Sequence, residues 1–475
     1  MAAQMQTQQQ PTPQLPIDTI LHGDSLEVLR SLPDACVDAI VTDPPAGISF
    51  MGKRWDSDHG GRDAWIAWLA EVMRETLRVV KPGGHALVWA LPRTSHWTAM
   101  ALEDAGFEVR DCVTHLFGSG FPKSLDVSKA IDKQAGAKRE RLRGVRSGVV
   151  ASTYAHDAWS LEYKDSVLSP EPITDAAQQW DGWGTALKPA VEDWWLCRKP
   201  LAEGTVAANV LTWGTGALNI GASRVGSEAA LRTAGSLAVH RATYGGFSSD
   251  HTPRVNGSTA GRWPANLLLS HAPDCEPTRC SLWCPVRELD AQSGIRTSGL
   301  MKAGTKRQTS HFAATDGNRL SSDTYGDTGG ASRYFSTFRY VPKASRSERN
   351  RGCSSLPEKS PWTSFDGQYA QSRNPVTGER LGEYKREQSN HHPTVKPLAL
   401  MSWLIGLITP PGGLVLDPFA GSGSTLVAAH EGGWRYLGIE REAEYVAIAQ
   451  ARLAPPAFAV TAKKTRTTRR KKVSA

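Results

Sequence analysis

The 475-residue sequence predicts an α/β protein: a mainly parallel sheet with helices on both faces, built from the two ends of the chain. Three observations carry this expectation. Apolar strand-like runs alternate with helix-length amphipathic runs from Ile17 to about Pro200. The same alternation returns only after Asn390. Between them, from about Leu201 to Asn390, the chain is rich in Gly, Ser, Thr and Arg and has only short apolar runs, so it reads as a loop-rich insertion.

Taken in order, "IDTILHGDSLEVLRSLPDACVDAIVTDPP" reads as strand, turn, short helix, strand. In "DAWIAWLAEVMRETLRVVKPGG", Asp63 to Gly84, the residues Trp65, Leu69, Val72, Met73, Leu77 and Val80 recur at helical spacing, and Lys81-Pro-Gly-Gly ends the helix. "HALVWA" is a short buried strand, "SHWTAMALEDAGF" a helix closed by Gly106, and "EVRDCVTHLFG" another strand. From about Lys123 to Trp180 the periodicity fades. Gly182 to Pro200 regains apolar character and predicts one more strand of the sheet. The C-terminal part predicts a helix over Pro397–Ile408, a strand over Leu414–Leu416, a glycine loop, a helix, a strand over Tyr436–Ile439 and a last helix.

The formal net charge of +8 looks like a nucleic-acid signal until it is located. "KKTRTTRRKK", Lys463 to Lys472, holds seven basic residues, and without it 48 basic residues face 47 acidic ones. A phosphate-binding surface on the body must therefore be a local patch. Two stretches qualify, Ala137 to Arg146 and Arg339 to Gly352. The first 16 residues are polar and proline-rich, without the basic flank and apolar centre of an export signal. No run approaches the roughly 20 apolar residues of a membrane span. Seven cysteines, mostly without paired spacing, suit a reducing cytoplasm.

"LVLDPFAGSGST" sets Gly421 and Gly423 after a strand and before a helix, where backbone passes close to a ligand at the sheet's switch point. A dinucleotide fingerprint wants a third glycine three residues after the second, but position 426 is Leu, and no basic residue follows as a phosphate loop requires. The loop offers Asp417 at its strand end and, one strand later, Glu440, placed to take the ribose hydroxyls of a nucleoside.

Together "DPFAGSGST", "HPTVKP" (His392 to Pro397) and "TDPP" (Thr42 to Pro45) resemble the motifs of DNA amino-methyltransferases. The catalytic motif comes first and the cofactor loop last, the order of the circularly permuted beta class. Phage and prophage members are the closest likeness, through "FMGKRWD", "GSGFPKSLDVSKAID", "GWGTALKPA", "RKPLAEGTVAANVL" and "GRWPANLLLSH". The resemblance covers most of residues 17 to 455. It implies a Rossmann-like sheet dependent on S-adenosylmethionine, with Asp24, Thr394, Lys396, Asp417, Phe419, Gly421, Gly423 and Glu440 at the cofactor. The implied organisation is a disordered N-terminus over 1–16 and an N-terminal half of the methyltransferase domain over 17–200. A target-recognition insertion follows over 201–390, then the C-terminal half over 391–455 and a basic disordered tail over 456–475.

The implied catalytic residues are Asp43, Pro44, Pro45 and Ala46. An exocyclic base amine is a poor nucleophile because its lone pair is delocalised into the ring. Asp43 can accept one N–H and the Pro44 carbonyl the other, which aims the lone pair at a methyl-sulfonium carbon, and the consecutive prolines hold those acceptors in place. The target base must leave the duplex to be reached. Family members usually follow Asp-Pro-Pro with an aromatic residue that stacks on the flipped base; here it is Ala46. Either Phe50 or Trp55 supplies the ring, or the enzyme is an altered active form, or catalysis is impaired.

The resemblance thus implies a site-specific methyltransferase acting on double-stranded DNA, with adenine N6 preferred because Asp-Pro-Pro is commoner than Ser-Pro-Pro there. Cytosine N4 is the same-chemistry alternative, and a DNA- and cofactor-binding relic the alternative of another class. An RNA or small-molecule enzyme on this fold predicts neither the insertion nor the basic tail. Dimers are frequent in the class, and a restriction partner is a further expectation the residues do not identify. Finally, "HAPDCEPTRCSLWCP" spaces His271, Cys275, Cys280 and Cys284 by three, four and three residues, a donor set that could hold a structural zinc although paired Cys-x2-Cys spacing is absent.

Overall fold

The computed structural model describes residues 15–50, 53–118, 124–143, 166–169, 171–225, 261–272, 275–276, 279–282, 284–297, 327–338, 346–357 and 389–454. Among them nine strands form one sheet: β1 (Thr19–His22), β2 (Val37–Thr42), β3 (Val80–Ala90), β4 (Glu108–Leu116), β5 (Val191–Arg198), β6 (Leu267–Ser270), β7 (Ser336–Phe338), β8 (Leu414–Asp417) and β9 (Arg435–Glu440). Their spatial order is β1, β9, β8, β2, β3, β5, β4, β6, β7. Every pairing is parallel except those of β5, which runs antiparallel to both β3 and β4.

The two ends of the chain meet at the centre of this sheet, where Val415 and Leu416 of β8 pair with Ala39 and Ile40 of β2. Each end also supplies one helical layer. The helices α1 (Ser25–Ser31), α2 (Arg62–Val79) and α3 (Ser95–Asp104) bury Leu29, Leu69, Met73 and Leu102 against Ile40, Ala86, Val88 and Leu416. On the opposite face α4 (Leu398–Ile408), α5 (Ser424–Glu431) and α6 (Ala443–Leu453) bury Leu400, Leu404, Ala428 and Val446 against Ala39, Val41, Leu87 and Val415. Alternate residues of β2 thus serve opposite layers, which is why its six residues are all buried. Each large apolar side chain so enclosed contributes roughly 1.5–3 kcal/mol.

Several expectations are corrected. The helix from Asp63 ends at Val79, and Lys81-Pro-Gly-Gly lies inside β3. That turn is held from outside: Lys81 Nζ reaches Asp38 at 2.6 Å, Asn209 Nδ2 donates to the Pro82 carbonyl at 2.8 Å and Thr215 Oγ1 at 2.7 Å. The strand predicted within Gly182–Pro200 exists as β5, but antiparallel, because it returns to fill the gap between β3 and β4. The polar stretch after Lys123 contains a helix, Val127–Gln134, whose buried Asp132 accepts from Arg139 Nε (2.7 Å), Ile173 N and Thr174 N. The segment read as a loop-rich insertion supplies β6 and β7, which extend the sheet beyond β4. Leu15, assigned to the disordered start, packs on the core. Residues 1–14 and 455–475, including the basic tail, lie outside the described residues.

Neither basic stretch offers all its cations to phosphate. Arg139 is enclosed in its pair with Asp132. Arg349 is buried and donates to the Asn390 and His392 carbonyls, and Arg351 pairs with Glu431. The partners of Arg349 and Arg351 are 41 to 80 positions away, and Asp132 lies seven residues before Arg139, outside the basic stretch itself.

Candidate active site

The order of the strands reverses between β8 and β2. From β8 the chain passes through α5 to β9 on one side, and from β2 it passes through α2 to β3 on the other. Strand ends on either side of such a switch point leave a crevice at their carboxyl termini. The residues there are Asp43 after β2, Asp417 ending β8, Glu440 ending β9 and Asp24 after β1. All four line one cavity, together with Pro45, Thr394, Lys396, Phe419 and Gly421 of the expected site. Pro44, Ala46 and Gly423 do not line it. Gly423 instead caps the start of α5, and the Ala46 carbonyl accepts Thr94 Oγ1 at 3.3 Å.

Asp417 is occupied by the protein itself. Its Oδ1 accepts Thr42 Oγ1 at 2.7 Å and the Phe419 amide at 3.1 Å, while Oδ2 accepts Thr425 Oγ1 at 2.6 Å. Burial pushes its pKa up, opposed by these bonds. The residue expected to touch a cofactor therefore ties the loop after β8 to the end of β2. Glu440 accepts the Gly421 amide at 2.8 Å and the Glu442 amide at 2.7 Å, one on each oxygen, leaving further lone pairs toward the cavity. Its pKa too is raised by burial. Asp24 caps α1, accepting the Leu26 amide at 3.0 Å.

The glycine loop is close-packed on both sides. At Gly421 (φ +52°) a Cβ would stand 2.8 Å from His392 Nε2, and at Gly423 (φ +76°) one would stand 2.9 Å from the Ala449 Cβ. Arg452 of α6 braces the loop through the Ser422 carbonyl at 2.7 Å. His392 is buried and held neutral, its pKa pushed down to about 3 by burial and then by Arg349 and Arg452. Its Nδ1 accepts the Thr394 amide at 3.3 Å.

At the other end of the cavity lies Asp43, whose side chain is 18% exposed. Lys396 Nζ stands 3.4 Å from Asp43 Oδ2, 3.7 Å from Glu192 Oε2 and 3.8 Å from the centre of the Trp89 ring. Burial raises the Asp43 pKa to about 7, with Lys396 opposing and Glu192 adding to the rise. Lys396, expected at the cofactor, is thus the cation facing Asp43. Glu192 was missed because only the antiparallel return of β5 brings it here.

Of the two rings considered for the missing aromatic, Trp55 lines the cavity and Phe50 does not. Trp55 lies 6.4 Å from the His392 ring at an interplanar angle of 13°. The loop that carries it is pinned by buried Asp56, which accepts the Gly47 amide at 3.0 Å and the Phe50 amide at 2.7 Å. Away from this cavity, His271, Cys275, Cys280 and Cys284 converge, with their ligating atoms all within 4.8 Å of one another.

The cavity's carboxylates, those of Asp24, Asp43, Asp417, Glu440 and Glu442, outnumber its cations, Lys396 and Arg441. It suits a ligand with hydroxyls and a positive charge and repels polyphosphate. A doubly wound sheet with a nucleoside-type cavity at its switch point defines the class. The family described as DNA methylase (N6_N4_Mtase) matches residues 37–127 and 301–451, half of the chain. The chain belongs to this family of DNA amino-methyltransferases.

Among curated relatives, a protein of Escherichia coli (strain K12) described as a methylase, YubD, is 51% identical over 71 residues, 15% of this chain and 31% of that protein. The DNA adenine methyltransferase YhdJ of the same organism is 41% identical over 70 residues, 15% of this chain and 24% of that protein. The chain spans about a third or less of the length of either. The PvuII DNA methyltransferase, cytosine-N4-specific, is a similar solved structure with a TM-score of 0.39 and 12% identity over 92% of this chain and 86% of that one.

Asp417→Ala is expected to destabilise the protein by about 3 kcal/mol or more, because two buried hydroxyls and one amide lose their acceptor at roughly 1–3 kcal/mol each. Urea denaturation measures it, and a change below about 0.5 kcal/mol contradicts the tie between β8 and β2.

Proposed function

We propose that this protein methylates the exocyclic amine of a flipped base in duplex DNA, adenine N6 in preference to cytosine N4. The observation that carries the reading is that Asp43 and Glu440 line the same cavity from strand ends on either side of β8, an amine acceptor at one end and a hydroxyl acceptor at the other. Adenine is favoured by the Asp of Asp-Pro-Pro and by the name of the relative YhdJ. The order of motifs, with Asp43 before Asp417, is read as the permuted arrangement. Residues 17–200 and 391–455 then form the catalytic unit, and 201–390 recognises the target.

The donor set fits S-adenosylmethionine: Glu440 toward ribose hydroxyls, Asp24 and Phe419 toward the nucleoside, the Gly421 and Thr394 segments toward the amino-acid part. When bound, that cofactor supplies a methyl group on a positively charged sulfur. This chain's own residues orient the nucleophile. Asp43 accepts one N–H of the amine, which favours a nitrogen whose lone pair is drawn out of the ring. Lys396 keeps enough of Asp43 ionised to accept, against the burial that raises its pKa. The proton released by the methylated amine has Asp43 as its nearest acceptor. Trp55 takes the stacking role that Ala46 does not fill.

Incubation of the full chain with unmodified duplex DNA and tritium-labelled S-adenosylmethionine tests the proposal. N6-methyladenine in the digested product is expected. N4-methylcytosine overturns the base assignment, and no label at high enzyme concentration overturns the enzyme reading in favour of a binding protein.

Because Asp43 must be ionised, kcat/KM is expected to rise about tenfold per pH unit up to about 7 and level off above it. Lys396→Met removes the cation that favours the ionised form, so the limb should move to higher pH. A flat profile from pH 5 to 7 contradicts Asp43 as acceptor.

Trp55→Ala should raise KM for DNA by about one to two orders of magnitude and reduce the 2-aminopurine fluorescence that reports base flipping, with Trp55→Phe largely restoring both. Ala46→Tyr should then give no gain in turnover. A sharp gain would mean that the stacking ring is absent from this chain.

A further inference from the structure

Among the described residues, the methyl-transfer reading leaves a cluster of chemically active side chains without a role. His271 follows β6 directly, Cys275 and Cys280 sit in the loop beyond it, and Cys284 is the N-cap of the helix Pro285–Ser293. We propose that these four residues bind one structural zinc ion, which locks the outer edge of the sheet.

The geometry is that of a tetrahedral site. Cys280 Sγ and Cys284 Sγ stand 3.3 and 3.4 Å from the same atom, His271 Nδ1. A ring nitrogen has one lone pair and accepts one good hydrogen bond, so two sulfurs aimed at it call for a shared centre. With Zn–N near 2.0 Å and Zn–S near 2.3 Å, neighbouring N and S ligands of a tetrahedral zinc lie about 3.5 Å apart. All four ligating atoms fall within 4.8 Å of one another, with Cys284 buried and the rest half-buried. Three sulfurs and one imidazole select zinc over hard cations such as magnesium or calcium.

The surroundings support a metal-bound state. The Ser281 amide donates to Cys275 Sγ at 3.3 Å, the second-layer bond that steadies a ligating thiolate. Cys284 caps its helix without a side-chain hydrogen bond, and the positive end of a helix favours a thiolate there. Local packing is thin: Leu269, Ala272, Cys284 and Val286 are the fully buried members of this small apolar cluster.

An ion here would close a ring. Asp290, on the helix that Cys284 caps, accepts the Ser332 amide and hydroxyl at 2.7 Å each, and the Ser293 hydroxyl accepts the Ala331 amide at 2.9 Å. Four residues on, β7 pairs with β6, and the His271 amide donates to the Phe338 carbonyl at 3.0 Å. Zinc joins the two open ends of this circuit, His271 and Cys284. Within it Arg262 and Arg333 lie over the Tyr334 ring at 4.7 and 4.4 Å.

The test is elemental analysis of the full chain purified without chelators, followed by exchange with cobalt chloride. About one zinc per chain is expected, and cobalt should give a thiolate charge-transfer band. Cys280→Ser and Cys284→Ser should lower metal content about tenfold, whereas Cys197→Ser and Cys353→Ser, which alter buried thiols outside the cluster, should leave it unchanged. Chelation should speed hydrogen exchange in β6 and β7 before it does so in β2 and β8. Wild-type protein with less than about a tenth of an equivalent of zinc and no cobalt charge-transfer band overturns the proposal, whatever the variants do. So does iron in place of zinc, or a disulfide among the three sulfurs.

Discussion

The hydrogen bond from Thr42 Oγ1 to Asp417 Oδ1 is the contact on which the site depends, because it joins the ends of two neighbouring strands that come from opposite parts of the chain. The two residues are 375 positions apart in sequence, yet they must meet within 2.7 Å at the mouth of one cavity. The same joint is made again at the other end of the strands, where Asp38 of β2 accepts the Leu414 amide at 2.7 Å. Between these ties β2 and β8 share hydrogen bonds directly. Closing so long a loop carries an entropic cost that grows only slowly with length, so a long insertion is thermodynamically tolerable once the central pairing is secure. A one-residue slip would turn Ile40 and Val41 to the wrong helical layers and separate Asp43 from Asp417.

The electrostatics of the cavity follow from that joint. Bringing several strand ends together also brings their carboxylates together, and Asp43, Asp417 and Glu440 are all driven toward protonation by burial. Asp417 and Glu440 are compensated by protein donors, hydroxyls and an amide for the one and two amides for the other. Asp43 has Lys396 instead, an ion pair longer than a good hydrogen bond and shared with Glu192 and the Trp89 face. That difference sorts the three carboxylates by role. Two have their charge met by protein donors, and the third, with its pKa raised to about 7, is held by a longer and shared ion pair.

Much of this was legible because it is local. Strand-to-loop junctions announce themselves: "TDPP" and "LDPFAGSGST" each place an acid after an apolar run, and the positive φ of Gly421 and Gly423 is what their glycines imply. Direction is not local. Nothing within Val191–Arg198 distinguishes a parallel from an antiparallel strand, so Glu192 could not be placed beside Lys396 before the topology was known. The arginines mislead because burial, too, is set by the fold. Arg139 and Arg349 read as surface charge in sequence and turn out to be internal donors, one to Asp132 and one to backbone carbonyls of the segment carrying His392. Trp55 was visible as one of two candidates, and only the cavity separates it from Phe50.

The outer edge of the sheet poses a different physical problem from its centre. There β6 spans four residues and the described part of β7 three, so few ladder bonds hold the edge. The helix Pro285–Ser293 buries little, with Val286 as its one fully buried side chain. What replaces apolar burial is a series of polar clasps: His115 Nε2 with Ser270 Oγ at 2.7 Å, Asp290 with Ser332, and the arginines over Tyr334. Such clasps are directional and individually weak, so each fixes a position more than it adds stability. The four-donor cluster lies at this same edge, where the apolar core is small.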